Sequence, residues 1–488
     1  MDRDVTASTA RSAFLLMAGR TVGFALSFGI PLVLVRHLDQ GEFGTYKQLF
    51  LIYGTVYGIA QFGMAESLFY FLPTAPRDAG CHVFNAVAAL GVAGLVCGTL
   101  LAAAGPALAR SLDNEELTTY LPLLALYLGL MLTSGALEIV MTARKQYLRA
   151  AISYASSDLV RAVLFTLPVL ALGELRWVFV GAAAFAALRV VVALAYLGAH
   201  FGGTLRPHFG LWKRQIAYAA PFALAVLVEV VQANFHQYAV SAHFPAAVFA
   251  IYAVGCLQVP VVDFLALSAA NVMMVRMAED LREGRAHAVV SLWHETTARL
   301  ALLLFPLVGL LLLTAYEVIV LLFTEQYAAS VPIFMISCTA MALSAFTVDG
   351  VMRVYAQTRY LVVLNTVRLA VIVGLIGWCL STFGLPGAIL VTVVATLLTK
   401  TLGIARARQL MRVGWADALP WRDLGGILAA TMAAAIVALA VKSLLDVSLV
   451  PRLVVTSLAY SLTYLGLAPG VTWPALKVVR VEADTTAL

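Results

Sequence analysis

The sequence is poor in charged residues. Only 12% of its 488 residues are Asp, Glu, Lys or Arg, and 62% are apolar, whereas an ordinary soluble domain is about 25% charged and 45–50% apolar. This composition excludes a soluble globular protein and a disordered chain, and it argues against an outer-membrane barrel, whose strands alternate in polarity. The class that remains is a polytopic α-helical membrane protein. Lys and Arg in cytoplasmic loops account for the net charge of +6 without nucleic-acid binding.

The sequence also lacks motifs of soluble catalytic chemistry. It contains no G-x-x-x-x-G-K-[ST] phosphate loop and no G-x-S-x-G turn, and Ala298 stands where a zinc protease would need the second His after His294-Glu295. The five cysteines form no C-x-x-C pair and lie in or beside apolar runs, as small core hydrophobes do. We therefore expect no enzyme, no cofactor and no metal site.

The apolar runs predict the topology. Each run approaches the length of about 20 residues that a transmembrane helix needs. Most of the 32 basic residues fall on one side of the predicted membrane, which places both termini in the cytoplasm. Fourteen spans are predicted, at 12–35, 46–72, 82–105, 119–142, 150–172, 177–199, 215–241, 247–275, 295–316, 329–348, 358–380, 386–405, 424–445 and 452–469.

Two similar turns indicate an internal repeat. Phe43-Gly44-Thr45-Tyr46 leads into the second predicted span, and Phe249-Ala250-Ile251-Tyr252 leads into the eighth. Transporters are often built from two such halves, with the substrate site between them. We therefore predict an N-terminal six-helix bundle at 1–205, a second six-helix bundle at 206–412, and two further spans with a short tail at 413–488.

Three motifs resemble those of the polysaccharide flippases of the multidrug/oligosaccharidyl-lipid/polysaccharide exporter superfamily. The run from Arg36 to Tyr46 is similar to their R-x-L-x-x-x-x-[FY]-G-x-Y signature. The run from Leu321 to Tyr327 resembles L-L-F-G-x-x-Y, although Thr324 replaces the usual Gly. The run from Gly384 to Ala388 resembles G-x-x-G-A. The order and spacing of the motifs also match the family.

The resemblance implies an alternating-access flippase in a bacterial inner membrane. Its substrate would be a polyprenyl-diphosphate-linked oligosaccharide for a cell-surface lipopolysaccharide or exopolysaccharide, turned from the cytoplasmic to the outer leaflet. Its partners would be this lipid-linked substrate, the bilayer and possible polysaccharide-assembly membrane proteins, with no nucleic acid, and the chain would be a monomer. In these relatives, basic residues on spans one, two and eight meet the diphosphate.

Several polar residues within the spans are candidates for the substrate cavity, because charge inside a membrane is costly and usually faces a cavity or a partner. Cations and paired Arg donors suit a diphosphate, although Lys47 and Arg276 could equally be interfacial anchors. One helical stripe of the seventh span contains Tyr218, Phe222, Ala225, Glu229, Gln232 and His236. A buried carboxylate and imidazole on this stripe could couple protons, bind sugar hydroxyls or lock helices together. The candidates are Arg20, Lys47, Arg276, Glu229, Gln232, His236, Asp263, Tyr53 and Tyr57.

Other charges and prolines within the spans have structural or dynamic interpretations. Asp158 with Arg161, and Asp349 with Arg353, have the spacing of ion pairs within one helix. Glu66, Glu138, Arg189, Arg299 and Arg368 are further predicted buried charges. Five prolines could bend the spans, namely Pro168, Pro221, Pro260, Pro306 and Pro332.

Two other functions compete with the flippase. A cation-coupled multidrug exporter of the same superfamily would have an acidic and aromatic site, for which Glu229 and Asp263 are available. A polysaccharide polymerase or ligase would be expected to have a large outer loop rich in Arg and His, whereas the predicted outer loops are short.

Overall fold

The computed structural model describes residue 23 and residues 25–485, of which 225, 260 and 469–485 are described by their backbone alone. Every regular element in this part of the chain is a helix, as a bilayer requires of a chain that cannot expose unpaired backbone groups to lipid. Contacts between residues divide the chain into two compact units, 1–250 and 251–488. The predicted boundary after residue 205 concerns a sequence repeat and stays a prediction.

The described part of the first unit contains ten α-helices and the start of an eleventh. Their bounds are α1 Ala25–Leu34, α2 Gln40–Ala60, α3 Leu68–Thr74, α4 Ala79–Ala103, α5 Gly105–Ser111, α6 Leu117–Ser134, α7 Leu137–Ala143, α8 Tyr147–Leu172, α9 Arg176–Phe201, α10 Phe209–Ser241 and α11 Ala246–Gly255.

The second unit begins within α11. Its core surrounds Trp293, whose indole Nε1 donates to the carbonyl oxygen of Ala418 at 2.9 Å. The remaining helices are α12 Pro260–Arg282, α13 Ala286–Leu313, α14 Ala315–Phe323, α15 Val331–Ala342, α16 Val348–Val354, α17 Thr358–Phe383, α18 Leu385–Met411, α19 Trp421–Leu444 and α20 Leu449–Thr485.

The predicted spans overlap these helices, although residues 12–22 and 24 of the first span lie outside the described residues. Several spans are not single continuous helices: the fourth is interrupted at 135–136 and the tenth at 343–347, and the second and eighth also differ. The second span, 46–72, is interrupted at residues 61–67 between α2 and α3. The eighth, 247–275, is wrong, because residues 256–259 separate the short α11 from α12, which continues to Arg282. Arg276 consequently lies within a helix and does not end one. Eleven helices of the described chain are long and apolar enough to cross a membrane, so the count of fourteen stays a prediction.

The prolines and ion pairs explain part of the polar sequence. Pro168, Pro221 and Pro306 lie inside helices, whereas Pro260 and Pro332 lie in the first turns of α12 and α15, where a missing N–H costs nothing. These two therefore start helices and do not bend them.

The predicted pair of Asp158 and Arg161 is confirmed at 2.6 Å. Asp349 instead approaches the ammonium of Lys400, at 3.8 Å. The expectation that the charges within spans are buried fails for four exposed residues, namely Glu66, Arg299, Asp349 and Arg353.

The first motif, residues 36–46, contains the N-terminal cap of α2. Asp39 and Glu42 form a reciprocal capping box, in which the Asp39 carboxylate accepts from the Glu42 amide at 2.8 Å. Phe43 is fully buried. A Cβ at Gly44 would overlap the backbone carbonyl of Ala246 at the start of α11, so the motif's glycine permits a close backbone approach.

Candidate functional site

Helices α2 and α10 pack along their lengths in the first unit, and we call this contact the seam. At its middle, Asn234 Nδ2 donates to Thr55 Oγ1 at 3.1 Å. The hydroxyl of Tyr238 donates to the carbonyl oxygen of Leu51 at 3.4 Å. Gly58 faces Val230 so closely that an added Cβ would lie 3.0 Å from a valine methyl group. The seam therefore joins the second and seventh predicted spans without an intervening helix.

The seam is closed near the start of α2 by buried amides, and we call this part the amide end. Gln48 Nε2 donates to Ser241 Oγ at 2.9 Å, and its Oε1 accepts from Asn114 Nδ2 at 2.6 Å. Gln48 and Ser241 are fully buried, and Asn114 is 9% exposed. Buried polar groups paired in this way fix the register of neighbouring helices.

The seam opens at the other end of α2 into a cavity of 350 Å³, which we call the seam cavity. It forms where the helix is interrupted after Ala60. Its volume falls within the range of small-molecule sites, which are mostly apolar with a few polar groups. No basic residue is among the described residues that line it, which are Gly58, Gln61, Phe62, Gly63, Glu66, Ser67, Tyr218, Phe222, Ala223 and Val226.

The Glu66 side chain is exposed at this cavity. Its carboxylate has no ion-pair partner within residue 23 and residues 25–485, where the ion pairs involve other residues. The amide of Gln61 and the hydroxyl of Ser67 are the other polar groups of the lining that are not aromatic. Because Ser67 is fully buried and its hydroxyl is already hydrogen-bonded to Met64 and Gln215, the cavity presents the Gln61 amide and the negatively charged Glu66 carboxylate.

An aromatic cluster holds one wall of the seam cavity. Tyr218 stacks on Tyr70, with ring centroids 4.9 Å apart and planes 15° apart, and it meets the edge of Phe71 at 5.5 Å. Phe71 in turn stacks on His82 at 4.5 Å. Aromatic contacts of this kind limit the orientations available to the Tyr218 ring.

A buried hydrogen-bond network supports that wall. Gln215 Oε1 lies 3.2 Å from His82 Nδ1, and Gln215 Nε2 donates to Ser67 Oγ at 2.8 Å. His82, Gln215 and Ser67 are all buried. The network links α4, α10 and the interrupted segment, so the polar and aromatic groups of the cavity are held before any ligand arrives.

The other face of α2 packs into the closed interior of the first unit. Tyr53 stacks on Tyr57 at 5.3 Å and contacts the buried Tyr127 at 4.7 Å. Glu138, only 2% exposed, accepts from Arg189 Nη2 at 2.6 Å and from Ser153 at 2.9 Å. Tyr53 and Tyr57, two of the predicted cavity candidates, therefore face away from the seam cavity.

The basic candidates lie in different parts of the chain. Arg20 lies outside the described residues. The Lys47 ammonium lies 5.3 Å from the ring centroid of Phe43 and 6.0 Å from that of Tyr46. This is cation–π geometry. Arg276 is exposed in the second unit.

The remaining polar candidates differ in burial. On α10, Gln232 and His236 are buried, at 4% and 7% exposure, whereas Glu229 is exposed. The prediction of a buried carboxylate on the same stripe as the His236 imidazole is therefore wrong for Glu229. Asp263 is exposed in the second unit.

Sequence reasoning missed the residues that form the seam cavity. It assigned Glu66 to the buried charges, gave Ser67 and His82 no role, and treated Tyr218 and Phe222 only as part of a stripe on the seventh span. The available signal was the run Gln61-Phe62-Gly63-Met64 within a long apolar segment. Phe62 has a φ of 51° and Gly63 a φ of 66°, which interrupts the helix.

The described part of the second unit contains a polar contact of Lys400 and an apolar groove. Lys400 Nζ donates to the carbonyl oxygen of Phe346 at 2.9 Å, where the helix is interrupted between α15 and α16. A groove of 570 Å³ is lined almost entirely by apolar side chains of α13 and α19, including Val308, Leu312 and Met432.

Comparison with solved structures shows the fold. The structure is similar to the lipid II flippase MurJ in an inward closed conformation, with a TM-score of 0.71, 10% identity, and coverage of 96% of this chain and 100% of that one. It is similar to a MOP superfamily transporter from Pyrococcus furiosus (0.56, 14%, covering 82% and 95%). A Vibrio cholerae MATE transporter, VcmN, is similar at 0.56 and 12%, covering 84% and 99%. The fold is that of transporters of the MOP superfamily.

The sequence itself matches a family model. Residues 9–262, more than half of the chain, match the model described as polysaccharide biosynthesis protein. The chain therefore belongs to this family, whose fold is that of transporters and flippases. No curated protein matches the sequence.

Proposed function

We propose that this protein is a flippase that moves a polyprenyl-diphosphate-linked oligosaccharide from the cytoplasmic to the outer leaflet of a bacterial inner membrane. The observation that carries the proposal is the family match over residues 9–262, together with a fold likeness to a lipid flippase that spans 96% of the chain. The product would supply cell-surface polysaccharide assembly.

The chemistry of the substrate suits groups in both units. A diphosphate needs cations, for which Arg20, Lys47 and Arg276 remain the proposed residues. The polyprenyl chain needs an apolar surface, which the 570 Å³ groove of the second unit provides. With no phosphate loop in the sequence, we propose alternating access driven by a gradient or by consumption of the product.

The test is a deletion strain assayed for its lipid-linked glycan in each leaflet. We expect the glycan to accumulate on the cytoplasmic side and to be restored to the outer leaflet by the wild type but not by Arg20→Ala. Arg77→Ala removes an exposed charge from the connection before α4 and serves as the matched control. Unchanged glycan distribution in the deletion strain would contradict the proposal.

The second candidate is an exporter of small organic cations. Its support is the likeness to MATE transporters and the carboxylate of Glu66 in a cavity without a basic residue among its described lining. Increased sensitivity of the same deletion strain to cationic dyes, with normal glycan distribution, would favour this function.

A further inference from the structure

The seam cavity has the chemistry of a carbohydrate site. Sugar rings present two kinds of surface, namely hydroxyl groups at their edges and C–H groups on their faces. The cavity offers matching groups of both kinds, because Tyr218 and Phe222 supply aromatic surface while Gln61 and Glu66 supply hydrogen-bonding groups. Aromatic walls with a few fixed polar groups are typical of small-molecule sites.

We propose that the seam cavity binds a sugar ring of the transported glycan and discriminates against acidic sugars. The inference rests on the proposed function, since it names the part of the lipid-linked substrate that this site would hold. We assign the diphosphate to another site, because the exposed Glu66 carboxylate would repel it.

The geometry of the wall supports a specific role for Tyr218. Its ring is 37% exposed, so one part of it is free to meet a ligand while Tyr70 covers a face at 4.9 Å. The contact chain through Phe71 and His82 holds the ring in place. A preorganised ring loses little entropy on binding, which favours weak but oriented contact with a sugar face.

The position of the cavity fits the direction of transport. Residues 58–67 lie in the second half of the second predicted span, and residues 218–226 lie in the first half of the seventh. In the predicted topology both are toward the cytoplasm, where the lipid-linked glycan would be picked up. A low-affinity site there would orient the glycan without retaining it.

The test uses the full chain in lipid nanodiscs and saturation-transfer NMR with three probes. The probes are methyl glucopyranoside, methyl glucosaminide with a free amine, and methyl glucuronide. We expect the neutral and cationic probes to bind and the anionic probe to bind about tenfold more weakly, since one nearby charge can shift an affinity by that factor.

The variants separate the contributions of the ring and the carboxylate. Tyr218→Ala should weaken binding of the neutral probe by about tenfold, whereas Tyr218→Phe should retain it. Glu66→Gln should remove the preference for the cationic over the anionic probe. Phe69→Ala is the matched control, because it removes an exposed aromatic ring of α3 that does not line the cavity. This variant should bind the probes like the wild type.

The outcomes distinguish this inference from the proposed function. Absence of probe binding to the wild type, or equal binding by Tyr218→Ala, overturns the sugar site even when the leaflet assay shows flipping. Probe binding that follows the expected pattern supports the site, and a normal leaflet distribution in the deletion strain would then refute only the flippase. Equal binding of all three probes would refute the discrimination against acidic sugars.

Discussion

Two carboxylates of the first unit have opposite surroundings. Glu138 is 2% exposed and is paired with Arg189 and Ser153, whereas Glu66 is exposed at the seam cavity without an ion-pair partner in the described chain. Both lie within long apolar segments, so sequence alone gives them the same cost and the same interpretation. Their surroundings differ because one faces a packed helix interior and the other faces an interrupted helix.

This difference separates structural polarity from polarity available to a ligand. The closed interior and the amide end of the seam pair the Glu138 carboxylate and the Gln48 amide internally, so substitutions there should act on stability. The seam cavity leaves the Glu66 carboxylate and the Gln61 amide open, so substitutions of these residues should act on binding. Five substitutions test this contrast, and the expected effect on stability decreases from the first to the last.

The largest loss of stability is expected when the buried Glu138 carboxylate loses its partner Arg189. Arg189→Ala leaves the Glu138 carboxylate buried and uncompensated, which should cost about 3–5 kcal/mol of folding free energy. Thermal unfolding of the purified protein in detergent would measure the loss. The double variant Arg189→Met with Glu138→Leu should recover most of it, and equal destabilisation by the double variant would show that the pair itself is not the cause.

The close backbone approach at Gly44 should give the next effect. A Cβ there would overlap the Ala246 carbonyl, so Gly44→Ala should destabilise by about 1–3 kcal/mol through overpacking. Gly54→Ala on the same helix is the matched control, because nothing lies within 4 Å of its added Cβ. Equal unfolding temperatures of the two variants would contradict the packed arrangement at this end of α2.

A strained turn at Thr324 in the second unit should give the third largest change in stability. Thr324 has φ 75° and ψ 165°, a conformation costly for a β-branched residue, and its buried Oγ1 has no hydrogen-bond partner within residues 25–485. Thr324→Gly should therefore stabilise the protein by about 1 kcal/mol after the entropy cost of glycine. A lower unfolding temperature of this variant would show that the Thr324 backbone is not strained.

The three sequence motifs show how much of the fold could be predicted from the sequence, and why. Composition and motif order predicted the helical membrane fold and the family, because hydrophobic length and turn geometry are local properties. The motif positions proved to be packing positions. Phe43 and Tyr327 are fully buried, and Gly384 has a φ of 64°. The resemblance therefore identified the scaffold and gave little information about the cavity.

The seam cavity was not predictable from the same signals. It depends on the packing of α10 against α2, which brings Tyr218 near Glu66 across about 150 residues of sequence. Tyr53 and Tyr57 stack on each other along one side of α2, but Tyr53 contacts Tyr127 in the closed interior. Periodicity places side chains on a face, and only tertiary packing decides what that face meets.

At the amide end, a smaller loss of stability is expected. Gln48→Ala removes hydrogen bonds to Ser241 and from Asn114, and such bonds between membrane helices contribute about 0.6 kcal/mol on average. The unfolding temperature should fall slightly while binding of methyl glucopyranoside stays unchanged. Loss of probe binding without loss of stability would mean that the two ends of the seam are coupled.

The smallest effect on stability is expected at Glu66, the exposed carboxylate of the seam cavity. Glu66→Gln removes a charge that is exposed and unpaired within residues 25–485, so the free energy of unfolding should change by less than about 0.5 kcal/mol. Its effect should appear instead in the preference between methyl glucosaminide and methyl glucuronide. A destabilisation comparable to that of Arg189→Ala would show that Glu66 has a structural partner, and the distinction between a closed and an open carboxylate would then fail.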